Sequence, residues 1–378
     1  MFDGFISNPG MPRKWQDAGH PRRLFQVMAL ALLSCVGMQY VQAESAMPVY
    51  EPVAEKYRGT LRLYGSGLKG LVKEWSEAYS RHQPLLRISV NEAGSDAVAG
   101  ALQFNAADIG ISGRELTFNE YLGAIINQAY LPTEYTIASG GYDVPGSSFS
   151  LVVFVNKENP IAGMTIGQLD GVFGAERTGG YRLLSFIPHD RTGEDNIRTW
   201  GELGLTGEWK DKGISTHGYA YGGMGQFFQN EVFAGGDKWN ENYRQYVEDG
   251  SRLATDPSVG ILNMLAEIEK DKYAIGFAGF PQWDKVKHVT GIRPLALAVR
   301  EGAPYVAPTR QSMADRTYPL TRSVYIYLNK DPSIPLTPKV KDFVRFVLSE
   351  EGQQIVKEHG IYLPLPATLV AEQRRKLD

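Results

Sequence analysis

The chain has 378 residues, of which 43% are hydrophobic and 21% are charged, and its formal net charge at pH 7 is -3. This length is enough for two domains with a sizeable core, and the composition excludes a disordered protein. Nucleic-acid binding normally requires a basic surplus, which this chain lacks, so no nucleic-acid partner is expected.

Residues 1–43 are expected to be a secretory signal peptide. Two arginines precede an apolar run at 24–33, and Val41 and Ala43 are small residues at the positions that a signal peptidase reads. Cleavage after Ala43 would remove Cys35, the only cysteine, and leave a protein without disulfides. The alternative is that Cys35 is lipid-modified and anchors the protein. Both alternatives predict export, and we expect the protein in the periplasm.

After an irregular lead-in at 44–57, the chain predicts repeated units in which a strand runs through a tight turn into a helix. Leu61 and Leu63 alternate with polar residues as in a strand, and helical spacing of apolar residues begins at Leu68. The carboxyl ends of such strands meet at one edge of an α/β sheet, where ligands bind. Four turns follow this plan: Gly65-Ser66-Gly67, Gly94-Ser95-Asp96, Ser112-Gly113-Arg114 and Tyr221-Gly222-Gly223-Met224-Gly225-Gln226.

These turns are candidate anion sites, because free backbone N–H groups and hydroxyls at a helix start attract anions. Each residue type also has a purely structural alternative. The three serines are common in turns and as helix caps, and the glycines are common in flexible turns. Arg114 could bind an oxyanion through two parallel hydrogen bonds, or it could pair with Glu115 or Asp108.

Two segments share one pattern, an apolar strand followed by Asn-Lys-acid and a proline. They are 150–160 and 323–332. The pattern favours either a symmetric role, such as paired strands that cross between two lobes, or coincidence between two buried strands. Between them, residues 174–196 are expected to form a long loop and 197–205 a short helical piece. Thr337 and Pro338 predict a helix start, and Gly360 predicts a helix end.

The sequence contains no motif of a familiar enzyme class. It has no Gly-x-Ser-x-Gly nucleophile turn, no His-Glu-x-x-His zinc motif and no phosphate-binding loop of the Walker type. We therefore expect a protein without catalytic activity, metal or cofactor.

Over about residues 60–366 the chain resembles the phosphate-binding proteins of phosphate-specific ABC transporters, which are type 2 periplasmic binding proteins. The motifs that carry this resemblance are Arg198-Thr199-Trp200-Gly201-Glu202-Leu203-Gly204-Leu205-Thr206-Gly207-Glu208-Trp209, Tyr318-Pro319-Leu320-Thr321-Arg322, Tyr325-Ile326-Tyr327, Val344-Arg345-Phe346-Val347-Leu348-Ser349, Glu351-Gly352-Gln353 and Tyr362-Leu363-Pro364-Leu365-Pro366.

The resemblance implies a two-lobed α/β fold of the Venus-flytrap type, with a mixed sheet in each lobe and two strands that cross the hinge. Lobe 1 would comprise 58–152 and 280–378, and lobe 2 would comprise 153–279. It also implies a monomer that captures inorganic phosphate or a similar oxyanion between the lobes for an inner-membrane ABC permease. The expected ligand-binding residues lie in the four turns: Ser66, Gly67, Ser95, Asp96, Ser112, Gly113, Arg114, Gly223, Gly225 and Gln226.

Two turns depart from the family pattern. Gly113 stands where many members have an aspartate that accepts the proton of hydrogen phosphate, and we expect Asp96 to take that role. An alternative role for Asp96 is stabilisation of a helix start. The fourth turn offers Gly223, Gly225 and Gln226 where the family usually has hydroxyl groups. The alternative function is therefore a protein that keeps the fold, has a different or no anion ligand, and acts as a surface or structural protein.

Overall fold

The computed structural model describes residues 46–142, 150–219, 222–247, 259–279 and 291–377. The chain divides after Ala43, and the residues from Glu44 onward form one unit. The expected signal peptide and Tyr221 of the fourth turn lie outside the described residues. Within the described ranges, no helix combines the length and apolar character that crossing a membrane requires.

The first sheet has five strands in the spatial order β2-β1-β3-β14-β4. Strand β1 is parallel to β2 and β3, whereas β14 is antiparallel to both of its neighbours. The alternation in β1 buries Leu61 and Leu63, as the sequence predicts. The strands are β1 (Gly59–Gly65), β2 (Leu86–Asn91), β3 (Ile109–Ser112), β4 (Thr133–Ser139) and β14 (Ser323–Leu328).

The second sheet repeats this arrangement in the order β10-β9-β11-β5-β12, with β5 antiparallel to both of its neighbours. Its strands are β5 (Leu151–Asn156), β9 (Ser215–Tyr219), β10 (Arg244–Tyr246), β11 (Ala274–Gly279) and β12 (Ile292–Pro294). Two strand pairs stand apart from the sheets: β6 (Gly163–Thr165) with β13 (Ala296–Ala298), and β7 (Arg177–Arg182) with β8 (Ser185–Arg191).

Helices pack on both sheets, and the described residues form three apolar cores, one on the second sheet and two on the first. The predicted periodicity after the first turn is confirmed, because Leu68, Leu71, Val72, Trp75 and Tyr79 are all buried. The helices are α1 (Leu71–His82), α2 (Val98–Gln103), α3 (Phe118–Gln128), α4 (Ile166–Phe173), α5 (Gly222–Val232) and α6 (Val259–Lys270), followed by Arg310–Ala314, Pro338–Val347, Glu350–His359 and Ala367–Arg375.

The two segments with the shared pattern have equivalent places in the two sheets. Strand β5 is the antiparallel strand of the second sheet, and β14 is the antiparallel strand of the first. Their beginnings meet, because the Leu151 amide donates to the Leu320 carbonyl at 3.1 Å and the Arg322 amide donates to Ser150 Oγ at 3.1 Å. The symmetric role is therefore confirmed. The two strands begin side by side at the junction of the two sheets, as the hinge of the expected fold requires, and each then pairs within one sheet.

Two further expectations are corrected between residues 174 and 205. The segment expected to be a long loop forms the hairpin β7–β8, in which Leu183 and Leu184 connect the strands. Residues 197–205 form turns rather than a helix, since Gly201 packs against the Lys210 backbone and Gly204 has a positive φ.

Strand β12 lies beyond residue 279 yet pairs with β5. We therefore propose that the second lobe extends past 279.

Candidate functional site

A cavity of about 1370 Å³ forms a cleft between the two sheets. Its walls come from the segment after β3, the hairpin β7–β8, the first turns of α5 and Tyr325. Five of the ten expected ligand-binding residues line it: Asp96, Arg114, Gly223, Gly225 and Gln226. The other five do not line it: Ser66, Gly67, Ser95, Ser112 and Gly113.

The first turn is occupied by the protein's own groups. The Ser66 amide donates to the Ile111 carbonyl at 2.8 Å, and Ser66 Oγ accepts a hydrogen bond from the Leu68 amide at 3.3 Å. The Glu92 carboxylate lies against Gly67, where any side chain on that glycine would collide with it. The protein's own Glu92 carboxylate thus lies at the turn where the sequence predicts a bound anion.

The second and third turns are tied to each other. Ser95 Oγ accepts from the Gly113 amide at 2.9 Å. The Ser112 hydroxyl is fully buried, donates to the Arg114 carbonyl at 2.6 Å and accepts from the Arg114 amide at 3.2 Å. Ser112 therefore shapes its own turn. Ser95 retains a hydroxyl proton with no acceptor among the described residues.

Arg114 is the most constrained side chain of the cleft. Its Nε and Nη2 donate to Asp96 Oδ1 at 2.9 and 2.7 Å, and its Nη1 and Nη2 donate to the two oxygens of Glu120, each at 2.9 Å. The Asp96 side chain is 92% exposed, whereas the Glu120 side chain is 17% exposed. One edge of the guanidinium therefore carries a fixed, enclosed partner, and the other edge carries a partner that solvent reaches.

The electrostatics of Arg114 and Glu120 follow from this enclosure. Burial lowers the pKa of Arg114, but hydrogen bonds to Glu120 and Asp96 outweigh it and raise that pKa above its usual value. Burial alone would raise the pKa of Glu120, yet hydrogen bonds from Arg114 and Thr117 hold it below its usual value. Both groups are thus charged at neutral pH, and Glu120 orients the arginine.

The sequence-based reasoning missed Glu115, Arg322 and Tyr325 as site residues. Arg322 Nη2 donates to Glu115 Oε2 and to the Gly223 carbonyl, both at 3.1 Å, and the Tyr325 hydroxyl donates to Glu115 Oε1 at 2.6 Å. The Arg322 side chain is 3% exposed. Gln226 Nε2 adds a hydrogen bond to the Leu116 carbonyl at 3.2 Å. These contacts join the first sheet's segment after β3 to the start of α5.

The hairpin β7–β8 covers one side of the cleft. The Tyr181 ring lies with its centre 5.2 Å from that of Phe118, on α3. Asp170 fixes the base of the hairpin, because its buried carboxylate pairs with Arg177 at one end and with Arg191, at 3.2 Å, at the other. The only sequence signal for the hairpin is the Leu183-Leu184 pair, which follows a glycine-containing run and precedes a run interrupted by Pro188.

Comparisons with known proteins define the class to which this two-lobed structure belongs. Residues 58–351 match the model of the PBP superfamily domain. The phosphate-binding protein PstS of Pseudomonas aeruginosa is 30% identical over 363 residues, which cover 94% of this chain and 99% of that protein. The chain therefore belongs to the PBP superfamily and, within it, to the PstS family.

Two more distant proteins that are similar to this chain are also named PstS. The phosphate-binding protein PstS of Staphylococcus aureus is 23% identical over 307 residues, which cover 78% of this chain and 75% of that protein. The crystal structure of PstS from Borrelia burgdorferi is 19% identical, covers 82% of this chain and 99% of that one, and superposes with a TM-score of 0.48.

Proposed function

We propose that the protein is a substrate-binding protein of an ABC transporter that captures an oxyanion, with phosphate as the first candidate, in the cleft between its lobes. Membership of the PstS family, whose members above are named phosphate-binding proteins, supports this proposal. In this role the protein delivers its ligand to an inner-membrane permease. The proposal also includes export to the periplasm and action as a monomer.

The observation that carries the proposal is the edge of Arg114 whose side-chain partner, Asp96, is exposed to solvent. Asp96 accepts from Nε and Nη2, which is the fork that an oxyanion would occupy with two parallel hydrogen bonds. Because the Asp96 side chain is 92% exposed, it can move into solvent and release that edge. We propose that the ligand replaces Asp96 there, while Glu120 keeps the guanidinium in place.

The first turn of α5 would supply the opposite wall of the site. A Cβ on Gly223 would lie 3.2 Å from Arg114 Cδ and 2.8 Å from Arg322 Nη2, so the absence of a side chain allows this close approach. The first N–H groups of a helix have no acceptor within the helix and carry partial positive charge. An anion on the Arg114 fork would therefore face donors from both lobes.

Thermal-shift and calorimetric titrations with phosphate, sulfate, molybdate, phosphonates and small carboxylates test the proposal. Phosphate at a hundredfold excess over its Kd should stabilise the folded protein by about 2.7 kcal/mol. Arg114→Gln should abolish this effect, and Arg87→Gln, at an exposed position on β2, is the charge-matched control. If no anion stabilises the parent protein, the alternative of a PstS-like protein with another or no anion ligand replaces this proposal.

Export has its own test. N-terminal sequencing of material from the periplasm should begin at Glu44, the residue after the expected cleavage site. A lipid-modified Cys35 at the mature N-terminus would contradict cleavage after Ala43 and would still agree with export.

A further inference from the structure

A second cavity, of about 260 Å³, lies where α5 meets the segment that leads into β14. We call it the hinge pocket, because Leu151 and Leu320 join the beginnings of β5 and β14 next to this segment. Among the described residues, it shares only Glu231 and Tyr325 with the cleft. It is therefore a separate place for a ligand.

Arg316 in the wall of this pocket makes no salt bridge with a described carboxylate, and Glu231 acts on its charge only from a distance. Its Nη1 donates to Ser139 Oγ at 2.9 Å, and its other N–H groups have no acceptor among the described residues. By contrast, Arg114, Arg177 and Arg322 each pair with a carboxylate. Burial lowers the pKa of Arg316, which shows that its charge is partly removed from water. A cation in such surroundings is stabilised by an anion.

The backbone at Arg316 adopts a left-handed conformation, as it does at six other non-glycine residues of the described chain. Its φ is +60°, in the left-handed region that glycine occupies at little cost and other residues occupy under strain. The chain accepts this strain with an arginine in place.

A serine hydroxyl is available beside Arg316. Ser323 and Ser139 are directly opposite each other on the antiparallel strands β14 and β4, so their side chains lie on the same face of the sheet. Ser139 already holds Arg316. Ser323 is 5% exposed and lines the pocket, and its hydroxyl has no partner among the described residues. A hydroxyl that faces a pocket without a protein partner can donate its proton to a ligand there.

We propose that the hinge pocket binds one small oxyanion between the Arg316 guanidinium and the Ser323 hydroxyl. The arginine supplies several N–H donors, and the serine supplies an O–H donor. The volume admits one tetrahedral anion with a few waters, since a water takes about 30 Å³ in the liquid. Glu231 on the opposite wall limits the negative charge that the pocket tolerates. This inference does not depend on the proposed function of the cleft.

Sulfate binding to the full mature chain tests the inference. The experiment is done in the Arg114→Gln background, which disables the cleft, and at constant ionic strength, because sulfate also stabilises proteins non-specifically. Sulfate should raise the melting temperature more than chloride does. Adding Arg316→Gly should reduce this difference to its non-specific part and weaken binding at least tenfold.

Arg316→Gly suits the observed φ but leaves the buried Ser139 hydroxyl without its donor, so the sulfate effect on each variant is compared with that variant's own melting temperature in chloride. Ser323→Ala removes a hydroxyl without a protein partner, and it should weaken sulfate about three- to tenfold at unchanged stability. Glu231→Gln should strengthen binding. Arg300→Gln, at an exposed position, is the charge control and should change nothing. If Arg316→Gly retains the sulfate effect, or if Arg300→Gln removes it equally, the inference is wrong.

Discussion

Replacing Asp96 by asparagine should tighten phosphate binding. In the structure the Asp96 carboxylate occupies the Nε and Nη2 edge of Arg114 with hydrogen bonds of 2.9 and 2.7 Å. A ligand that takes this edge must first displace the carboxylate and then tolerate its negative charge nearby. Asparagine removes the charge and leaves only a weak competitor for the same donors.

The expected gain follows from two contributions. In the Asp96–Arg114 pair the carboxylate is 92% exposed and the arginine side chain only 14%; because solvent reaches the carboxylate, we take the contribution of exposed pairs, about 0.2–1 kcal/mol, as the cost of displacing Asp96. Repulsion between unit charges about 4 Å apart in water adds roughly 1 kcal/mol. Together they predict a gain of about 1–2 kcal/mol, which is a roughly five- to thirtyfold lower Kd. The stability of the free protein should change by less than about 1 kcal/mol.

Calorimetric titration with phosphate and sulfate measures the Kd of each anion for the parent and for Asp96→Asn. Glu120→Gln, on the other edge of Arg114, is the matched variant. Glu120 is enclosed and orients the guanidinium, so its loss should weaken phosphate binding, in the opposite direction. The reasoning is refuted if Asp96→Asn weakens phosphate binding and admits sulfate. That result would show that Asp96 accepts the proton of hydrogen phosphate, because specificity would then depend on its carboxylate.

Three further predictions concern stability, each measured by urea unfolding. Gly65→Ala should lower the free energy of unfolding by about 2–4 kcal/mol, because φ at Gly65 is +126° and the new Cβ would collide with the Ile111 carbonyl. Gly94→Ala is the control: φ is +91° but the space around the new Cβ is open, so the loss should be only about 1–2 kcal/mol. Asp170→Asn should cost about 3 kcal/mol by leaving two buried arginines without their carboxylate. Burial lowers the pKa of His217 from 6.5 to about 4, so the unfolded state binds the proton first. The contribution of His217 to the free energy of unfolding should have its full value above about pH 6.5 and should fall by up to about 3 kcal/mol as the pH is lowered toward 4. His217→Gln should remove this pH dependence.

Much of the fold could be predicted from the sequence because hydrophobic periodicity reports burial. Alternation at Leu61 and Leu63 placed β1, and helical spacing through Trp75 placed α1. The hairpin β7–β8 could not be found in this way. Tyr181, Phe186 and other strand residues remain exposed, and glycines interrupt the alternation, so no apolar pattern marks its strands.

Five of the ten ligand-binding residues expected from the sequence line the candidate cleft, and the pairing of its side chains was not predictable. Strand order and turn composition place Ser95, Arg114 and the start of α5 at the same sheet edges. The partners of Arg114 and Arg322 depend on side chains brought together from distant parts of the chain. Glu115 and Arg322 are 207 positions apart, and no local pattern connects them.

Three carboxylates of the protein pair with the arginines of the cleft: Glu115, Glu120 and Asp96. The exposure of each carboxylate decides whether its arginine can exchange it for a ligand. Glu115 is held by Arg322 and by the Tyr325 hydroxyl, and removing it would leave a 3% exposed arginine without compensation, which is strongly unfavourable. Glu120 is enclosed in the same way. Asp96 alone among these three is open to water, so its release costs little. Among these three carboxylates, only Asp96 can release an arginine edge at low cost, and a ligand must offer two oxygens in the plane of the Arg114 fork to compete for it.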